Sequence, residues 1–137
     1  MMEGSMNESC LIGVERADGT VLAAGCRSDG GVALAGRRLA LHWRRAPQAL
    51  LLVSGGAMER LGIREEGPEV LRTIRVSPPV PPIVLDGAEA FWARRPGLHA
   101  YLLADGFWTV RLPEGGLRRV VDLLQRIDIQ RTSRRMP

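Results

Sequence analysis

The sequence predicts an α+β domain: an antiparallel sheet, built from two hairpins and a candidate central strand, with its helices packed on one face. Three observations predict it. Asp18-Gly19 and Asp105-Gly106 each separate two short apolar runs, and Asp-Gly is a strong hairpin signal because such turns need left-handed backbone. Three other segments carry apolar residues at helical spacing. The chain has 137 residues, 45% hydrophobic and 25% charged, the composition and size of one globular domain. Those figures exclude a disordered, collagenous or coiled-coil chain, and leave no room for a TIM barrel of about 250 residues.

Residues 1–9 read as a loose leader, 10–127 as the domain and 128–137 as a basic tail containing Arg131, Arg134 and Arg135. Leu11–Arg16 and Thr20–Cys26 form the first hairpin. Val32, Gly36, Leu39, Ala40 and Trp43 fall on one helical stripe, with Asp29 as the expected N-cap. Pro47 suits the first turn of a short helix to Ser54, ended by Gly55-Gly56, with one further turn expected over Ala57–Leu61. Leu71–Val76 alternates as the candidate central strand. Pro78, Pro79, Pro81 and Pro82 make a stiff connector that cannot donate to a sheet ladder. Asp86 and Glu89 have capping-box spacing for a helix to about Arg94, stopped by Pro96. His99–Leu103 and Phe107–Leu112 form the second hairpin. Pro113-Glu114-Gly115-Gly116 breaks the chain before a last helical stripe of Leu117, Val120, Val121, Leu124 and Ile127.

The formal net charge is +4, and all 19 basic residues are arginine. A basic balance favours acidic partners, although arginine in place of lysine also fits a GC-rich coding sequence. Cys10 and Cys26, with fifteen residues between them, match no zinc spacing, so no metal or cofactor is expected and two reduced thiols are favoured. The polar start MMEGSMNES is unlike a signal peptide. The apolar stretch Ala49–Val53 falls far short of the ~20 residues of a membrane helix. The expected location is the cytoplasm, without membrane contact.

No enzyme motif survives inspection. Gly31 and Gly36 have P-loop separation but lack the lysine and hydroxyl that grip phosphate and magnesium. Ser54-Gly55-Gly56 is no nucleophile elbow, because position 52 is Leu. His42 and His99 have no sequence cue for pairing with a serine or cysteine. The four Asp-Gly pairs are explained locally by turns and caps. Cys26, just before a helix start, is the best candidate nucleophile, and a small structural thiol is the simpler reading.

Arginine doublets recur at Arg37/Arg38, Arg44/Arg45, Arg94/Arg95, Arg118/Arg119 and Arg134/Arg135. If their helices share one side of the sheet, the outer faces merge into a basic surface for phosphates or an acidic protein groove. Phe107 and Trp108 point to opposite sides of one strand, so one of them is available as an anchor. The candidate partner-binding residues are Arg37, Arg38, Arg44, Arg45, Trp108, Arg118 and Arg119.

Cys26-Arg27-Ser28-Asp29-Gly30, followed by Gly36, Leu39, Trp43, Ser54, Gly56 and Leu61-Gly62, resembles a group of small uncharacterised bacteriophage and mobile-element proteins. Tyr101–Val110, with Asp105-Gly106 and Trp108, is similar to the same group's C-terminal half. The likeness spans about three quarters of the chain. The group's histidine and aromatic after the cysteine are Arg27 and Ser28 here, so chemistry that depends on that histidine is not expected. The resemblance implies a phage or mobile-element source rather than a mechanism.

Together these features point to a non-enzymatic interaction protein of phage type. It is expected to bind and modulate, in the inhibitory sense, a host protein or protein–nucleic-acid complex such as transcription or defence machinery. The alternative is a nucleic-acid-binding module that uses the same arginine-rich helix faces and tail; a small enzyme built on Cys26 is the third reading.

Overall fold

The computed structural model of the chain describes residues 8–135. Most of the expected leader, residues 1–7, lies outside the described residues, as do Met136 and Pro137 at the end of the tail. Glu8 and Ser9 already belong to the body: Glu8 pairs with Arg95 at 3.1 Å, and the Ser9 amide donates to the Cys26 carbonyl at 2.8 Å.

The α+β class holds, with strands β1 (Cys10–Glu15), β2 (Val21–Cys26), β3 (Met58–Arg60), β4 (Ile74–Arg75), β5 (Ile83–Leu85), β6 (His99–Ala104), β7 (Phe107–Arg111) and β8 (Leu117–Arg119). They form one mixed sheet in the order β4-β3-β2-β1-β6-β7-β8, with β5 also paired to β2. The helices are α1 (Arg37–His42), entered through a π-helical turn Val32–Gly36, then α2 (Ala46–Ser54), α3 (Ala88–Trp92) and α4 (Val120–Arg135).

The expectation of an antiparallel sheet is corrected. The two hairpins join through their first strands, β1 and β6, which run parallel with Cys10 opposite His99 and Ile12 opposite Tyr101. Both are nearly continuous apolar runs, Cys10–Val14 and Ala100–Leu103, buried throughout. Such runs suit strands covered on both faces. The helices accordingly lie on two faces, not one. The π-helical turn, α1, α2 and α4 cover Ile12, Val14, Ala24, Tyr101, Leu103, Trp108 and Val110. Short α3 covers Leu11, Val21, Ala23, Ala100 and Leu102 with the ring of Phe91.

The turns explain the strand registers. Asp105 and Gly106 both have positive φ (53° and 88°), and Ala104 pairs directly with Phe107, as the two-residue turn predicts. The first hairpin is different. Only Gly19 is left-handed, the Gly19 amide donates to the Arg16 carbonyl, and Asp18 accepts from the Thr20 amide and hydroxyl. Its loop is therefore Arg16–Thr20. Leu112–Gly116 repeats the same backbone bonding with Gly115 left-handed, so the expected chain break is a third hairpin turn leading into β8.

Several helix ends differ from expectation. Gly31 and Gly87, not Asp29 and Asp86, occupy the N-cap positions, and neither makes a side-chain cap. Residues 58–60 form β3 instead of a helical turn, because the Met58 carbonyl accepts from the Arg27 amide alongside the end of β2. The candidate strand Leu71–Val76 shortens to β4, preceded by a 3-10 turn Glu69–Leu71, and lies at the sheet edge rather than its centre. The expected boundary at Ile127 falls inside α4, which continues to Arg135. No helix among the described residues is long and apolar enough to cross a membrane.

Candidate functional site

Helix α4 carries two apolar stripes. Val120 and Leu124 face inward and are buried, while Val121 and Ile129 are 56% and 60% exposed. Val121, Gln125, Asp128, Ile129 and Thr132 follow helical spacing, so they form one outward strip. Beside it, α1 turns Arg37 and Leu41 outward at i, i+4, with Leu41 60% exposed. Between the two helices lies a depression of about 530 Å³ lined by Arg37, Ala40, Leu41, Arg44, Val121, Leu124, Gln125 and Asp128.

Two further depressions extend it. One of about 330 Å³ shares Gln125 and Asp128 and reaches Ile129, Thr132 and Ser133. One of about 100 Å³ shares Ala40, Arg44 and Val121 and reaches Gly106, Phe107 and Trp108. The shared residues make one groove along α4. From Val121 to Ser133 it spans about 18 Å at 1.5 Å per residue.

The candidate residues have separate fates. Arg37 binds Asp128 through both terminal nitrogens, at 2.9 and 3.4 Å, and this ion pair holds the Asp128 carboxyl below the usual carboxylate range. Arg38 is turned inward onto the Leu61 carbonyl. Arg44 and Arg45 are exposed and form no ion pair among the described residues. Arg118 reaches the carbonyl of Leu117, and Arg119 stacks over the Phe107 ring at 3.9 Å. Trp108 corrects the expectation of an exposed anchor: it is buried, and its indole donates to the Trp43 carbonyl at 3.0 Å. The exposed member of the pair is Phe107, because the Trp108 side of β7 meets α1 and α4.

The structure thus brings Arg37, Arg44 and the edge of Trp108 to one groove, and commits Arg38 to the core side. Sequence reasoning missed Leu41, Val121, Gln125 and Ile129. The signal was available in the i, i+4, i+8 spacing of Val121, Gln125 and Ile129, which is offset by one residue from the buried stripe.

A second cluster lies at one end of the sheet. Cys10 pairs directly with Cys26 across β1 and β2, and with His99 across β1 and β6. Both cysteines are buried and free. The hydrogen bond from Cys10 lowers the Cys26 thiol to about 7, while the same contact and burial push Cys10 well up. Burial lowers His99 from its ordinary value, partly offset by Glu114, and its ring stacks on Tyr101. Cys26 thus has a thiol neighbour rather than an imidazole base, and Asp29 is exposed. No group of three or more His, Cys, Asp or Glu able to hold a metal occurs among the described residues.

Comparison with known proteins returns no family model, no curated protein and no solved structure that matches the chain.

Proposed function

We propose that this chain is an interaction protein, not an enzyme, and that the groove between α1 and α4 seats an acidic amphipathic helix of a protein partner. The observation that carries this reading is the continuity of the groove past three exposed aliphatic side chains, Leu41, Val121 and Ile129. The groove, about 18 Å long, matches about three turns of a docked helix, and Leu41, Val121 and Ile129 along it meet anchors at i, i+3/i+4 and i+7. Apolar side chains lined up in one groove depart from the scattered exposure of an ordinary surface. Arg44 and Arg119 at the Phe107 end supply positive charge for acidic residues on the partner.

The resemblance to phage and mobile-element proteins extends the proposal: the partner is a host protein of the cytoplasm, and occupancy of the groove modulates it. The nucleic-acid alternative is weaker on geometry. Arg37, Arg38, Arg75 and Arg111 spend their guanidinium groups on internal carbonyls and carboxylates.

Selection from a random library of peptides about 16 residues long tests the reading. Enriched sequences are expected to be acidic and amphipathic. Leu41→Asp, at an exposed site that leaves the fold intact, is expected to weaken their binding tenfold or more, and Arg44→Glu several-fold. Enriched peptides without that pattern, or binding that both variants leave unchanged, would overturn it. Binding to DNA or RNA that falls log-linearly with salt would instead favour the nucleic-acid reading.

A further inference from the structure

Cys10 and Cys26 lie away from the groove and have no task in the interaction reading. The first hairpin sets them directly opposite one another. Opposed residues of an antiparallel pair have Cα atoms about 4.5–5.5 Å apart, inside the ~4.4–6.8 Å range that a disulfide spans. The register therefore sets the two residues within the Cα separation that a disulfide bridges.

What covers the pair is the turn at residues 27–31. The Cys26 thiol donates to the Ser28 carbonyl at 3.6 Å. The turn presses so closely that a Cβ on Gly30 would sit 2.8 Å from the Cys10 Cβ. It is also held at a cost. Asp29 has left-handed backbone at φ 48°, a conformation that is uncommon outside glycine. The buried hydroxyls of Ser9 and Ser28 find no hydrogen-bond partner among the described residues. Local strain and unsatisfied polar groups lower the free energy of opening such a segment relative to the core beneath it.

We propose that Cys10 and Cys26 are a reversible thiol–disulfide pair, oxidised by a small disulfide of the glutathione class that reaches Cys26 when the 27–31 turn opens. The Cys26 thiolate attacks one sulfur of the small disulfide. That S–S bond breaks, and the leaving thiolate takes up a proton as the first small thiol. The Cys10 thiol then loses its proton to solvent and attacks the Cys26 sulfur, expelling the second small thiol. Two electrons and two protons leave the protein pair, and one small disulfide becomes two thiols. Cys26 is the attacking group because its thiol is the more acidic of the two. Cys10, held well up by Cys26 and by burial, closes the bond from within.

The test incubates the native full chain in glutathione redox buffers, traps remaining thiols by alkylation and reads the intact mass and peptide map. The expected result is loss of two hydrogens with no retained adduct, both thiols disappearing together. Cys10→Ser is expected to hold one glutathione on Cys26. If that variant does not fold, the wild-type time course still decides, because the transient adduct must map to Cys26 before closure. A stable adduct on the wild-type chain would overturn the proposal. So would two persistent thiols where an unstructured control peptide is oxidised, or closure only beyond the denaturant midpoint.

Discussion

The two faces of the sheet do the same job with different means. Among the described residues, the cluster that α1, α2 and α4 share with the sheet holds twenty buried residues, and the one that α3 shares with it holds six. The thick face shares its packing among many aliphatic side chains and the three rings of Trp43, Tyr101 and Trp108. The thin face relies on Phe91, which is fully buried, and on Arg111, which is 7% exposed. Arg111 directs its two terminal nitrogens at the carbonyls of Trp92, Arg94, Arg95 and Leu98, and so holds the end of α3 onto the sheet. A face that rests on Phe91, with half-buried Trp92 edge-on to it, and on one guanidinium has little redundancy. A face with a deep aliphatic layer can afford an exposed groove on its outer surface, because the helices forming that groove are anchored from below.

The largest expected effect breaks the thin face directly. Phe91→Ala should cost about 3–5 kcal/mol, read by urea denaturation, with β5 losing hydrogen-exchange protection before β6. Next is Arg111→Met, which leaves the carbonyls of Trp92, Arg94, Arg95 and Leu98 without this donor and should cost about 2–4 kcal/mol. Arg111→Lys should recover only part of that, because an ammonium cannot fan over four acceptors as a guanidinium does. Gly13→Ala should cost about 1–3 kcal/mol through overpacking, since a Cβ there would stand 2.5 Å from the Phe91 ring and 2.9 Å from Val21. Phe91→Leu in the same chain should relieve part of that penalty, and additive losses in the double variant would refute the contact.

The smallest effect belongs to the thick face. Burial lowers the His99 pKa in the folded chain, so below the ordinary value near 6.5 the unfolded chain binds a proton that the folded chain resists. The contribution is fully present above that pH and declines as pH falls through it towards the folded value. Thermal melts between pH 7.5 and 5 should show a steeper acid loss for the wild type than for His99→Gln.

Much of the fold was legible because local chemistry and tertiary structure agree. Asp105-Gly106 is a two-residue turn, as its composition demands, and the stripe of α1 faces inward where expected, whereas of the expected last stripe Val120 and Leu124 are buried, Val121 is exposed and Leu117 belongs to β8. The parallel join of β1 and β6 was not legible from alternation, since both strands are buried on both sides and alternation vanishes there. The thiol pair turned on one residue of register. A two-residue turn at Asp18-Gly19 would set Cys10 against Arg27, whereas the five-residue loop Arg16–Thr20 sets it against Cys26. The groove was hidden because Val120 and Val121 read as one stripe, although a helix of 3.6 residues per turn places them about 100° apart. Trp108 and Phe107 were correctly assigned to opposite faces, but which one is covered depends on where α4 packs, a long-range fact.

The proposed interaction places the partner along α4. Hydrogen-exchange mass spectrometry of the chain with and without a selected acidic amphipathic peptide tests it most directly. Protection is expected at residues 37–44, 106–108 and 119–133, with the 61–72 segment unchanged. Protection centred on the β3–β4 edge or on the 27–31 turn, with α4 unaffected, would contradict it.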